Sequence, residues 1–165
     1  MQFVKLTLNL ALGLVLAAFG AAAVAQGGQA NASYDGAPLA IRGYSPVSYF
    51  EAGRPERGSE EFSTVYENRT YYFVDEAQLQ AFKDDPEAYA PVFPEHCPYN
   101  LAMGREQPVD PTNYKVVGGQ LLLFHSASNP DKDGLVQWNR TIRSRDFTEQ
   151  EMIERAQSNL IELTF

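Results

Sequence analysis

The sequence predicts a small α+β domain: an antiparallel sheet of two hairpins, flanked by several short helices and closed by an amphipathic C-terminal helix. Three observations predict it. Phe62 to Glu67 and Thr70 to Val74 are rich in β-branched and aromatic residues and are separated only by Asn68-Arg69, the pattern of two strands joined by a tight polar turn. A second pair, Lys115-Val116-Val117 and Gln120 to His125, flanks Gly118-Gly119, a dipeptide that adopts positive φ at both positions without steric cost. Thr148-Glu149-Gln150-Glu151 is a capping box, and Met152, Ile153, Ala156, Leu160 and Leu163 trace one helical face behind it.

The elements follow in chain order. MQFVK carries Lys5 as its only charge, and the apolar run from Leu6 to Val24 ends in Ala23-Val24-Ala25. Small residues at the first and third positions of that triplet suit a signal peptidase, so residues 1–25 read as a signal peptide and the mature chain as periplasmic or secreted. No stable membrane association is expected after cleavage. Residues 26–37 lack apolar periodicity and read as a flexible linker. Residues 38–165 then form a single domain, long enough to bury a core, with no internal repeat visible.

Within that domain Pro38 to Arg42 reads as a short strand. Ser45 is placed to cap a helix with Pro46 at its first position, Val47, Tyr49 and Phe50 facing inward, and Gly53 and Pro55 ending it. Asp75 caps a helix that runs to Lys83, with Ala77, Leu79 and Phe82 at helical spacing. Pro86 opens one more turn, to Tyr89. Asp133 to Thr141 reads as helical around Trp138.

Without Lys5 the mature chain holds 12 Lys and Arg against 21 Asp and Glu, a formal charge of 12 − 21 = −9. Phosphate backbones demand a positive field, so nucleic acid is not expected as a partner. No nucleophile elbow, glycine-rich phosphate loop or H-E-x-x-H motif occurs, and the chain does not read as an enzyme. The chemistry-bearing segment is Phe93-Pro94-Glu95-His96-Cys97-Pro98, which holds the one cysteine. Pro98 suits the first position of a helix running to Met103, which sets Cys97 at the cap, where the free N–H groups stabilise a thiolate. A thiolate binds soft metals, His96 beside it offers an imidazole, and Met103 offers a thioether. A lone cysteine also serves as a small buried hydrophobe. His125 ends the run Leu121-Leu122-Leu123-Phe124, where alternation sets Leu121, Leu123 and His125 on one, buried, face.

Several of these stretches together resemble the YHS-domain family in its exported bacterial form. Gly43-Tyr44-Ser45-Pro46-Val47-Ser48-Tyr49-Phe50 is similar to the family's opening G-Y-D-P-V-A-Y-F, with Ser45 in place of Asp. Glu61-Phe62-Ser63-Thr64, Thr70-Tyr71-Tyr72-Phe73 and Ala81-Phe82-Lys83-Asp84-Asp85-Pro86-Glu87-Ala88-Tyr89 resemble its central motif. Cys97 falls on the family's cysteine, and Pro108 to Leu121 resembles its closing hairpin. The resemblance spans about residues 38–140. It implies a small exported domain that binds a soft metal, copper, since related domains occur in copper-transporting ATPases. The loop before the cysteine departs from the family's G-G-Y-C-A, and a second cysteine is missing.

The expectation from sequence is therefore a copper-binding module in which Cys97, His96, His125 and Met103 supply the ligands. The alternatives are a structural or partner-binding domain with an inert, buried Cys97, and a thiol- or haem-linked redox protein.

Overall fold

The structure is a computed structural model that describes residues 36–164. The expected signal peptide, residues 1–25, and the linker up to residue 35 lie outside the described residues.

The α+β class is as expected. In chain order come α1 (Ser48–Glu51), β1 (Ser59–Tyr66), β2 (Arg69–Phe73), α2 (Glu76–Asp84), α3 (Pro86–Tyr89), α4 (Pro98–Ala102), β3 (Asp110–Val117), β4 (Gln120–Phe124), α5 (Gly134–Ser144) and α6 (Glu149–Thr164). The hairpins β1-β2 and β3-β4 form two separate two-stranded antiparallel sheets.

Local chemistry explains most boundaries. Asp75 accepts from the Gln78 N–H, Asp85 from the Ala88 N–H, and Asp133 from the Val136 N–H, so three aspartates cap three helices. Thr148 and Glu151 complete the box at α6: the Thr148 N–H and hydroxyl donate to the Glu151 carboxylate, and the Glu151 N–H donates back to the hydroxyl. Those bonds, the backbone one foremost, hold the Glu151 carboxyl below its ordinary range.

Four expectations need correction. Pro38 to Arg42 is not a strand: Leu39 makes one parallel bridge to Thr70, and Ala40–Gly43 form a 3-10 turn with Ile41 at φ 40° and Arg42 at φ 53°. A β-branched residue resists that left-handed conformation. Burial of Ile41 in the core and a bond from Arg57 Nη1 to the Arg42 carbonyl at 2.7 Å hold it there. Ser45 does not cap α1, whose N-cap is Val47; the Ser45 hydroxyl donates instead to Gln78 Oε1 at 2.6 Å, a buried acceptor 33 residues on. The first hairpin turns at Glu67-Asn68, with φ 46° and 57°, one residue earlier than expected, so Arg69 pairs with Tyr66. Leu163 is 47% exposed because α6 outruns the core it packs against.

The chain contains a repeat that its sequence conceals. Each hairpin has an eight-residue strand, a two-residue turn with positive φ twice, and a five-residue strand, and the two are offset by 51 residues. The register breaks at the same place: Ser59 pairs with Phe73 and Ser63 with Tyr72, just as Asp110 pairs with Phe124 and Tyr114 with Leu123. The flanking bridges recur too, Leu39 to Thr70 matching Pro91 to Leu121 and Tyr44 to Arg57 matching His96 to Pro108. Backbone bonds follow suit. Ser45 N–H to the Glu56 carbonyl corresponds to Cys97 N–H to the Gln107 carbonyl, and Gly58 to Gly43 corresponds to Val109 to Glu95. Each half enters through a residue followed by proline, forms a short helix, makes a hairpin, and ends in an aspartate-capped helix.

The halves are joined through β4, which is buried on both faces. Leu121 and Leu123 pack with Ile41, Val47, Tyr49, Tyr71, Phe73 and Phe82 in one core. Leu122 and Phe124 pack with Cys97, Leu101, Trp138, Met152 and Ala156 in the other. Four consecutive buried residues are the pattern of a strand covered on both sides, not of a half-exposed hairpin. α6 closes the second core and also satisfies the end of α4, with Arg155 Nε and Asn159 Nδ2 donating to the Ala102 and Leu101 carbonyls, each at 2.7 Å.

Two consequences are measurable. A Cβ on Gly58 would lie 2.4 Å from the Tyr72 carbonyl carbon and 2.5 Å from the Phe73 nitrogen. Both are backbone atoms of a paired strand, so Gly58→Ala is expected to cost about 3 kcal/mol in urea unfolding. Burial pushes the Tyr71 hydroxyl up to about 12, with Arg69 partly opposing, and burial likewise raises Tyr49, whose hydroxyl donates to the Pro111 carbonyl. A raised folded value means that the stabilising contribution is complete below the unfolded value of 10.0 and is lost as pH climbs from there through 12. The urea midpoint should therefore fall between pH 10 and pH 12, and less steeply in Tyr71→Phe.

Candidate functional site

Cys97 occupies the position that its sequence implied. It is the N-cap of α4 with Pro98 next, and its N–H is taken by the Gln107 carbonyl at 2.8 Å. Its side chain makes no capping hydrogen bond and has no exposed surface. The sulfur fills a space left by a glycine: a Cβ on Gly134 would lie 2.5 Å from Cys97 Sγ. Gly134 is the first residue of α5, and its N–H donates to the His125 carbonyl at 2.9 Å. The thiol is therefore seated on the start of α5, whose first N–H is bonded to the His125 carbonyl.

Asp133 organises that corner. Its carboxylate accepts from the Val136 N–H at 2.9 Å, from Asn113 Nδ2 at 3.1 Å and from the Ala127 N–H at 3.3 Å, and Asn113 Nδ2 also reaches the His125 carbonyl at 3.0 Å. Three elements, β3, the loop after β4, and α5, are thus pinned by one buried carboxylate with its lone pairs met, the condition under which such a group is tolerated inside. The sequence marked Asp133 as a helix start; its second role depends on Asn113, twenty residues away, for which no spacing signal exists.

The other expected ligands are distributed around this corner. His96 is half-buried and bridges Pro108 in antiparallel fashion, and His125 Nδ1 lies 3.2 Å from the Pro108 carbonyl oxygen, so the two histidines meet at one proline. They open on different hollows: His96 on one lined by Glu95 and Glu106, His125 on one lined by Asn100, Arg105 and Lys132. His125 lies just past the end of β4 and is partly exposed, not on a buried strand face as alternation suggested. Met103 is the C-cap of α4, packed at the margin of the second core. Among the described residues no three His, Cys, Asp or Glu side chains are gathered where they could hold a metal ion.

Compared with protein-family models, curated proteins and solved structures, the chain matches none.

The contact between Cys97 and Gly134 can be tested by a double-mutant cycle. Gly134→Ala should cost about 1–3 kcal/mol by overpacking the sulfur. In a Cys97→Ala background, where the sulfur is gone, the same change should cost about 1 kcal/mol or less. Additive costs in chemical denaturation would show that the two side-chain positions do not touch.

Proposed function

We propose that this chain is an exported, non-catalytic binding domain of the YHS type in which Cys97 is a packing residue. One observation carries the reading: Cys97 is the counterpart of Ser45 in the repeat. Both precede a proline, both have no exposed surface, and both donate their N–H to the equivalent carbonyl. A position that the other half fills with a hydrogen-bonded serine is a framework position, and its occupant is chosen by what it packs against. Ser45 meets Gln78, and Cys97 meets Gly134. A thiol enclosed by apolar neighbours is a small hydrophobe. Enclosure also suits an oxidising compartment, where an exposed single thiol would cross-link.

A second reading, a two-coordinate Cu(I) site made by Cys97 with His125, is favoured by Gly134, against which the sulfur packs and whose N–H donates to the His125 carbonyl. Two soft or borderline ligands suffice for that ion.

Thiol labelling and copper titration separate the two. Packing predicts slow labelling of the native protein by a disulfide reagent, immediate labelling in denaturant, and equal Cu(I) uptake by wild type and Cys97→Ala. Fast native labelling, or uptake lost in both Cys97→Ala and His125→Ala, would overturn it, and the second outcome would establish the copper site.

A further inference from the structure

A polar pocket of about 280 Å³ opens beside His125, between the end of α4 and the loop that leads into α5. Its lining is unlike the acidic composition of the chain as a whole. Arg105 and Lys132 both line it, and neither side chain has an ion-pair or hydrogen-bond partner among the described residues. Asp131 also lines it, but its carboxylate is held by Arg140 Nη1 at 2.6 Å. His125 is anchored through Nδ1 at the Pro108 carbonyl, which leaves Nε2 as the ring's free nitrogen.

The floor adds an independent indication. Asn100 is 7% exposed, lines the pocket, and its carboxamide has no hydrogen-bond partner among the described residues. Only its backbone carbonyl is used, by Met103 and Arg105 N–H. The amide is not among the buried unpaired atoms, so it keeps contact with the pocket's solvent, and a ligand entering there can bond to it without displacing a protein partner. In a chain with 21 acidic against 13 basic residues, two unpaired cations around one unpaired amide are an uneven distribution of charge.

We propose that this pocket is a binding site for a small oxyanion-bearing molecule, a carboxylate or a phosphate. Arg105 presents a planar fork that matches two oxygens of such a group, Lys132 supplies a second positive charge, and the Asn100 amide donates from the floor. His125 Nε2 and the Tyr99 hydroxyl remain for the rest of the ligand. The site goes beyond the reading of Cys97 and stands on different residues, so either can fail without the other.

The test is titration of the isotopically labelled protein at constant ionic strength with citrate, with inorganic phosphate, and with a neutral sugar as control, read by NMR. Saturable shifts centred on the Asn100 side chain and the His125 ring are expected with at least one anion and not with the sugar. Which anion saturates the site identifies the carboxylate or the phosphate class. Arg105→Ala/Lys132→Ala alters exposed side chains only and should weaken binding by about tenfold or more. Asn100→Asp, which sets a carboxylate on the floor, should weaken it too. No saturable shift with either anion, or equal affinity in the double variant, would overturn the proposal.

Discussion

The structure depends on one strand being enclosed from both sides. β4 is five residues long, and Leu121, Leu122, Leu123 and Phe124 alternate between two cores. Each of those side chains contributes about 1.5–3 kcal/mol by leaving water, and the sum is realised only when both cores are assembled. Neither half can complete its packing alone, because the first core takes Val109, Leu121 and Leu123 from the second half. A chain made of two similar units is in this way bound into one cooperative domain.

The repeat gives the cysteine its context. Where Ser45 stands, the following helix α2 supplies the Gln78 amide, and a hydroxyl with a short bond to it is well placed. Where Cys97 stands, α5 supplies a glycine and no polar side chain, and a sulfur fills the space without asking for a partner. Exchanging the two would leave a buried hydroxyl unmet on one side and a buried amide unmet on the other. The residue types at these two points differ because the helices beneath them differ. The aromatic contacts repeat with the same logic, Phe73 on Phe82 in the first half and Phe124 on Trp138 in the second.

Most elements were legible in the sequence because their signals are local. Capping aspartates, the Thr148 box, the Gly118-Gly119 turn and prolines at first helical positions act within four residues. What was hidden depends on contacts across the chain. Ser45 reads as a cap until Gln78, 33 residues on, takes its hydroxyl. Ile41 reads as a strand residue until the core and Arg57 force its backbone over. The repeat itself is hidden because hairpin geometry constrains turn and register far more than side-chain identity: SEEFSTVY and DPTNYKVV share only one valine at matched positions, yet they break register at the same point. The pocket beside His125 draws on three separate segments, and no spacing rule could have assembled them.

The bridges that enter each half have a consequence for how the molecule behaves among its own copies. Two-stranded sheets expose unpaired ladder groups on both sides, which are templates for another chain. Here the outer side of β2 is met by Leu39 just after Pro38, and the outer side of β4 by Pro91. A proline offers no N–H, so each closing segment takes up the ladder for one residue and stops it from growing. The remaining side of the first sheet, that of β1, carries the exposed Glu60 and Glu61. Short plugs on one edge of each sheet, conferred twice by the same doubled plan, together with charge on β1, are a built-in resistance to amyloid-like stacking.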